Sequence, residues 1–204
     1  MAQLVDDDTA RAIAEGRHAD PFSVLGLHRR AERWILTAFV PDADRVTALA
    51  GQAVELVHQQ GGVWAAVLPG RLDYRLRATA RGQTWEWDDP FLYGPVLGEM
   101  DEYLLGEGTH KRLWQVLGAH CITHEGAEGV HFAVWGPNAE RVSVVGTFNH
   151  WDGRRHPMRR RGATGVWETF IPGLSEGEAY KYEIRGPRGA LLPLKADPVG
   201  FGSE

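Results

Sequence analysis

Gly146-Thr147-Phe148-Asn149-His150-Trp151-Asp152-Gly153 is the stretch whose residue types and spacing could do chemistry. It follows a run of strand character and has turn residues at both ends, so Trp151 is expected on a surface bend. An indole face can stack on the apolar C–H face of a pyranose ring, and Asn149 and Asp152 beside it offer partners for sugar hydroxyls. A tryptophan folded back onto a sheet edge would leave the same local pattern. Lys181 lies in Tyr180-Lys181-Tyr182 and alternates with two tyrosines expected to face inward. Its ammonium is then expected on the outer face, able to donate to a hydroxyl, although a solvated strand lysine reads the same way. It is one of three lysines in an arginine-dominated chain.

Other candidates fall away on inspection. Arg154, Arg155, His156, Arg159, Arg160 and Arg161 form a basic cluster with little aromatic interleaving, expected as a solvated hairpin arm. His110, His120, His124 and His131 lack metal-ligand spacing, so no metal site is expected. Trp64, Trp85, Trp87, Trp135 and Trp167 fall in strand patterns and are expected in the core. Glu99, Asp101 and Glu102 sit close together, but no neighbour would separate their pKa values as acid–base work requires. No nucleophile elbow, phosphate loop or dinucleotide fingerprint occurs, so no catalytic residue and no cofactor is expected. A lone Cys121 excludes an intrachain disulfide and points to a reducing, cytoplasmic setting. A net charge of −5 argues against nucleic acid as main partner, and no run is long and apolar enough for a membrane span.

The elements that must position Trp151 and Lys181 come from a repeat. Pro21-Phe22-Ser23-Val24-Leu25-Gly26 is echoed by Leu113-Trp114-Gln115-Val116-Leu117-Gly118. Phe39-Val40-Pro41 through Arg45-Val46 parallels Trp135-Gly136-Pro137 through Arg141-Val142, and Val63-Trp64 parallels Val166-Trp167. Asp89-Pro90-Phe91 matches Asp197-Pro198-Val199. Four matches in order indicate a tandem duplication. Each copy has a short helix, capped at Asp20 or Thr109 and ended at Gly26 or Gly118, followed by short strands between Gly, Pro and Asn turns. The fold class expected is all-β: two tandem immunoglobulin-like β-sandwich domains over residues 1–105 and 106–204. A first helix is expected from about Asp8 to Glu15, stopped at Gly16. Gly94 to Thr109 reads as the inter-domain connector.

These residues resemble a known family. Asp20-Pro21-Phe22-Ser23-Val24-Leu25-Gly26, Gly129 through Ala139, Val144 through Met158, Tyr180 through Ile184 and Pro193 through Pro198 are similar to bacterial glycogen branching enzymes. The first copy resembles their amino-terminal domain and the second a family-48 carbohydrate-binding module. The resemblance implies a parent that cleaves α-1,4 links and forms α-1,6 branches using two carboxyl groups on a (β/α)₈ barrel, which 204 residues leave no room for. It also implies that Trp151 stacks on sugar and that Lys181 donates to a hydroxyl. Its second stacking tryptophan is missing, since Arg185 to Leu192 contains none. The partners implied are α-glucan and the parent's own barrel. Sandwiches that buttress that barrel without touching sugar are the alternative.

Overall fold

The first helix forms where the sequence places an N-cap. In the computed structural model, which describes residues 3–200, the Asp6 carboxylate accepts the Thr9 N–H at 2.9 Å and opens α1 (Asp7–Ala14). Asp7 and Asp8 lie in its first turn, where carboxylates favour the helix dipole. Gly16, at φ 62°, lies just past its end. The chain divides into two units, Met1–Leu92 and Tyr93–Glu204.

Unit 1 continues with β1 (Gly26–Arg30), β2 (Arg33–Phe39), β3 (Arg45–Ala50), β4 (Gln52–Glu55), β5 (Val57–His58), β6 (Val63–Leu68), β7 (Arg75–Ala80) and β8 (Gln83–Trp87). They make two antiparallel sheets, ordered β1-β2-β6-β5 and β4-β3-β7-β8. In β3, Val46, Ala48 and Ala50 are buried in alternation, as a strand with one face on a core requires. β2 and β6 are buried on both sides. Leu36, Ala38, Ala66 and Leu68 join the inter-sheet core, while Ile35, Val63 and Ala65 meet Ala10 and Ile13 of α1. The helix expected after Asp20 is only a 3₁₀ turn, Pro21–Ser23, and Asp20 makes no side-chain cap.

Unit 2 carries α2 (Glu99–Gly106), a 3₁₀ turn at Leu113–Gln115, then β9 (Gly118–His124), β10 (Ala127–Trp135), β11 (Arg141–Gly146), β12 (Arg159–Arg161), β13 (Val166–Pro172) and β14 (Tyr180–Arg185). One sheet runs β12-β13-β10-β9; the other is β11-β14. His156 and Met158 bond along the outer edge of β11, and Lys195 bonds both ways to Tyr182 of β14. Both repeats therefore build the same pair of sheets. The segment read as a connector is instead a covering layer: Leu97 is buried against Leu117, Ala133 and Val166 on the back of β10–β13. This packing puts the division between the units before Tyr93, ahead of the boundary read at residue 105.

Three devices recur in both units. The Trp64 and Trp167 indoles each donate at 3.0 Å to a turn carbonyl, that of Val40 or Gly136. Gly62 and Gly165 have φ of 88° and 78°, and a Cβ on either would strike Pro41 or Pro137 of that same turn. Asp89 accepts the Tyr74 hydroxyl at 2.6 Å and the Phe91 N–H at 3.1 Å. Its counterpart Asp197 accepts the Tyr180 and Tyr182 hydroxyls at 2.6 and 2.9 Å and the Val199 N–H at 2.8 Å. The paired Asp-Pro motifs of the sequence are thus the closing bonds of the two sandwiches.

Candidate functional site

β11 is buried along its whole length, with Val142 and Val144 in the core of unit 2. The chain leaves it at Gly146 through a 3₁₀ turn, Thr147–Asn149, and then passes through two consecutive left-handed residues, His150 (φ 58°) and Trp151 (φ 60°). Neither is glycine. Each such residue costs roughly 1–2 kcal/mol, and this kind of strain persists only where surrounding bonds over-determine the backbone. Here those bonds come from Asn149. Its Oδ1 accepts the Gly146 N–H at 3.0 Å, while its Nδ2 donates to the Val144 carbonyl at 2.9 Å and to His156 Nδ1 at 3.0 Å. The Trp151 N–H returns to the Gly146 carbonyl at 2.9 Å. The result is a rigid bend that holds the Trp151 side chain out, 43% exposed.

Below the bend lies a layer of charge. Asp152 takes both Arg154 Nε and Arg154 Nη2 at 2.8 Å, and accepts the Arg154 N–H at 3.0 Å. Burial raises the Asp152 pKa, but the Arg154 hydrogen bonds and charge more than offset this and hold the carboxyl below its ordinary value. Arg141 donates to the Gly153 carbonyl at 3.1 Å and to Glu183 at 2.8 Å. A Cβ on Gly153 would strike the Glu183 carboxylate, so the loop lies directly on β14. Lys181 is half-buried and pairs across the strands with Val145, the residue before Gly146. It shares a face of β14 with Glu183, two residues on.

The structure thus brings Trp151 and Lys181 to the same end of the β11–β14 pair and treats the other two candidates differently. Asn149 is only 1% exposed and its amide is fully engaged inside the turn, so it shapes the bend and meets no ligand. Asp152 is tied to Arg154. His156, read as part of a surface arm, is half-buried edge-on against Phe148, with ring centroids 5.7 Å apart. Burial and the nearby Arg155 push its pKa down to about 4, so the ring is neutral and its Nδ1 can accept from Asn149. No local signal marked this residue, since a histidine among arginines looks solvated.

The arginine cluster is likewise not a solvated arm. Arg159 donates to the Tyr93 carbonyl at 2.9 Å, and Arg161 pairs with Glu102 and Glu168. Glu168 itself is buried and accepts from the Val96 and Leu97 N–H groups and from His131 Nε2 at 3.1, 3.0 and 2.8 Å. Among the tryptophans expected in the core, Trp64 and Trp167 are there, but Trp135 is 60% and Trp85 39% exposed. Where a second stacking tryptophan is absent, the chain exposes Leu191 and Leu192. Among the described residues, no group of three His, Cys, Asp or Glu side chains is placed to hold a metal ion, and no helix is long and apolar enough to cross a membrane.

Residues 6–91 match the N-terminal domain model of the α-1,4-glucan branching enzyme GlgB, and residues 116–200 match carbohydrate-binding module 48, the isoamylase N-terminal domain. The chain carries the two N-terminal domains of glycogen branching enzymes. It is 56% identical over 98% of its length to the 1,4-alpha-glucan branching enzyme GlgB of Roseobacter denitrificans, and 50% identical over 99% to that of Cereibacter sphaeroides. It corresponds to the N-terminal part of these branching enzymes and spans 28% and 29% of their lengths. Among solved structures, the pullulanase of Anoxybacillus sp. LM18-11 complexed with maltotriose matches 81% of this chain and 24% of its own, at 15% identity and a TM-score of 0.34, too low a score to carry an argument. The loop bearing Trp151 and the strand bearing Lys181 both fall in the module-48 half.

Proposed function

We propose that this region is the accessory, glucan-positioning part of a glycogen branching enzyme, and that unit 2 holds an α-glucan chain against Trp151 with Lys181 donating to a sugar hydroxyl. The observation that carries this reading is the Trp151 bend. Two left-handed residues, held by a buried asparagine, present an indole to solvent inside a carbohydrate-binding module. A flat apolar ring at the same end of a strand pair as a cation is the chemistry that suits a pyranose, whose faces are apolar and whose rim carries hydroxyls. The partners in this reading are glycogen or amylose-type chains and the catalytic barrel of the whole enzyme, in the cytoplasm. A weak module suffices, because attachment to a multivalent polymer raises the local concentration of further chain.

Native gels cast with glycogen test the site. Retardation of the chain is expected to fall at least five-fold for Trp151→Ala and less for Lys181→Ala; retardation surviving in Trp151→Ala overturns the assignment. The chemistry of cleavage and transfer belongs to the barrel, so iodine-stained amylose is expected to keep its colour with this chain alone. A scaffold reading, in which the sandwiches buttress the barrel, draws support from the missing second tryptophan and from the inward commitment of Asn149 and Asp152. Unretarded wild-type chain would favour it.

A further inference from the structure

Trp85 and Trp87 stand two residues apart on β8, so they share one face of the strand. Their rings lie 6.4 Å apart with an interplanar angle of 23°, a near-parallel stack. Trp87 packs against the core of unit 1, whereas Trp85 extends past it to 39% exposure. Gln83 continues the same face, and β8 ends its sheet. The ion pairs of this hairpin lie on the opposite face: Glu86 pairs with Arg75 and Arg77, and Asp88 with Arg75.

Trp87 supports the core, but the fold does not need the exposed Trp85 indole. Aligned on the closing aspartates, Trp85 and Trp87 fall where unit 2 has Pro193 and Lys195, and that edge completes the same sandwich without an aromatic ring. Nor does the exposed indole suit a protein interface. Among the described residues of unit 1, the only other exposed large apolar side chain is Val67, on the opposing sheet. A stable protein contact buries about 1,000 Å² or more, and one indole is far smaller. That size matches one or two sugar rings, which need a flat apolar surface with hydroxyl partners at its rim.

We infer that Trp85, backed by Trp87 and flanked by Gln83, is a second α-glucan contact, placed on the free sheet edge of unit 1. This rests on the glucan reading of Trp151: one polymer would meet two weak footholds on the same chain, and each raises the effective concentration seen by the other.

Indole N–H resonances of the 204-residue chain, titrated with maltoheptaose, decide it. The Trp85 and Trp151 signals, assigned by their loss in Trp85→Phe and Trp151→Phe, are both expected to shift on titration. A Trp151 signal that moves while Trp85 stays fixed overturns this inference and leaves the earlier one standing. A shift at Trp85 alone supports this site and removes the other; no shift at either removes both. In glycogen gels, Trp85→Ala is expected to weaken retardation at least three-fold, and Trp85→Phe to recover part of that loss. Unchanged retardation in Trp85→Ala also overturns the inference. The resonance measurement reads the folded wild-type chain, so it stands even where the alanine variant folds poorly.

Discussion

At the scale of single residues, the proposed glucan site depends on a side chain buried beneath it, Asn149. Removing the Asn149 amide in Asn149→Ala leaves the Gly146 N–H and the Val144 carbonyl without their buried partner. The expected cost is about 2–4 kcal/mol of unit 2 stability, with glucan retardation lost alongside; chemical denaturation and the glycogen gel read the two effects. The opposite sign is expected at His150→Gly, which relieves a left-handed non-glycine residue and gains about 1 kcal/mol with the indole still in place. Trp151 was legible in the sequence because turn residues bracket it. The role of Asn149 was not, because an asparagine in a polar turn reads the same whether its amide points in or out. Trp85 and Trp135 were misread for a related reason: strand periodicity assigns a face, and a face at a sheet edge or strand end need not be covered.

At the scale of elements, the layer of residues 93–117 is tied to the sheet by several bonds, of which the Glu168 carboxylate takes two. Glu168 lies within β13, between neighbours that are all buried, and accepts two backbone N–H groups from the segment ahead of α2. Burial raises its pKa, yet the bonds from His131 and the Leu97 N–H, with the Arg161 charge, more than offset this and hold it below the ordinary glutamate value. Its contribution is therefore complete above the unfolded glutamate pKa and is lost as acid protonates it in the folded state. Glu168→Ala is expected to cost about 3–5 kcal/mol, because it strips a buried charge pair and two amides at once. Hydrogen exchange over residues 96–106 should rise first. The sandwich strands were legible because β-branched and aromatic residues alternate between Gly and Pro turns. This layer was not: its buried apolar anchors, Leu97 and Leu117, show no helical period, and a long-range bond to Glu168 leaves no local trace.

At the scale of the whole molecule, each sandwich holds a desolvated titratable group, and the two are expected to respond to acid in opposite directions. Burial pushes Asp89 of unit 1 up to about 6, against its Tyr74 and Phe91 hydrogen bonds. Its folded state holds a proton that the unfolded chain releases near pH 4, so unit 1 loses stability as pH rises from about 4 to 6. In unit 2, His156 has its pKa pushed down to about 4 and resists the proton that the unfolded chain takes near pH 6.5. Unit 2 therefore loses stability as pH falls through that interval, in the same direction as Glu168. Each effect is worth up to about 3 kcal/mol. Calorimetry between pH 4 and 6.5 is expected to move two transitions in opposite directions; Asp89→Asn should flatten one slope and His156→Gln the other. Transitions that move together would contradict this. The repeat that exposed the two units in the sequence could not show this divergence, since burial is set by packing that short motifs do not encode.

The aspartates that tie the last strand of each sandwich also fix an order in time. Asp89 and Asp197 come after every strand of their units, and each bonds back to tyrosines made earlier. During synthesis these closing bonds cannot form in either sandwich until its final Asp-Pro turn has emerged. Unit 1 thus completes with Phe91 while the strands that will carry Trp151 and Lys181 are still unmade, so the chain is born one finished sandwich at a time.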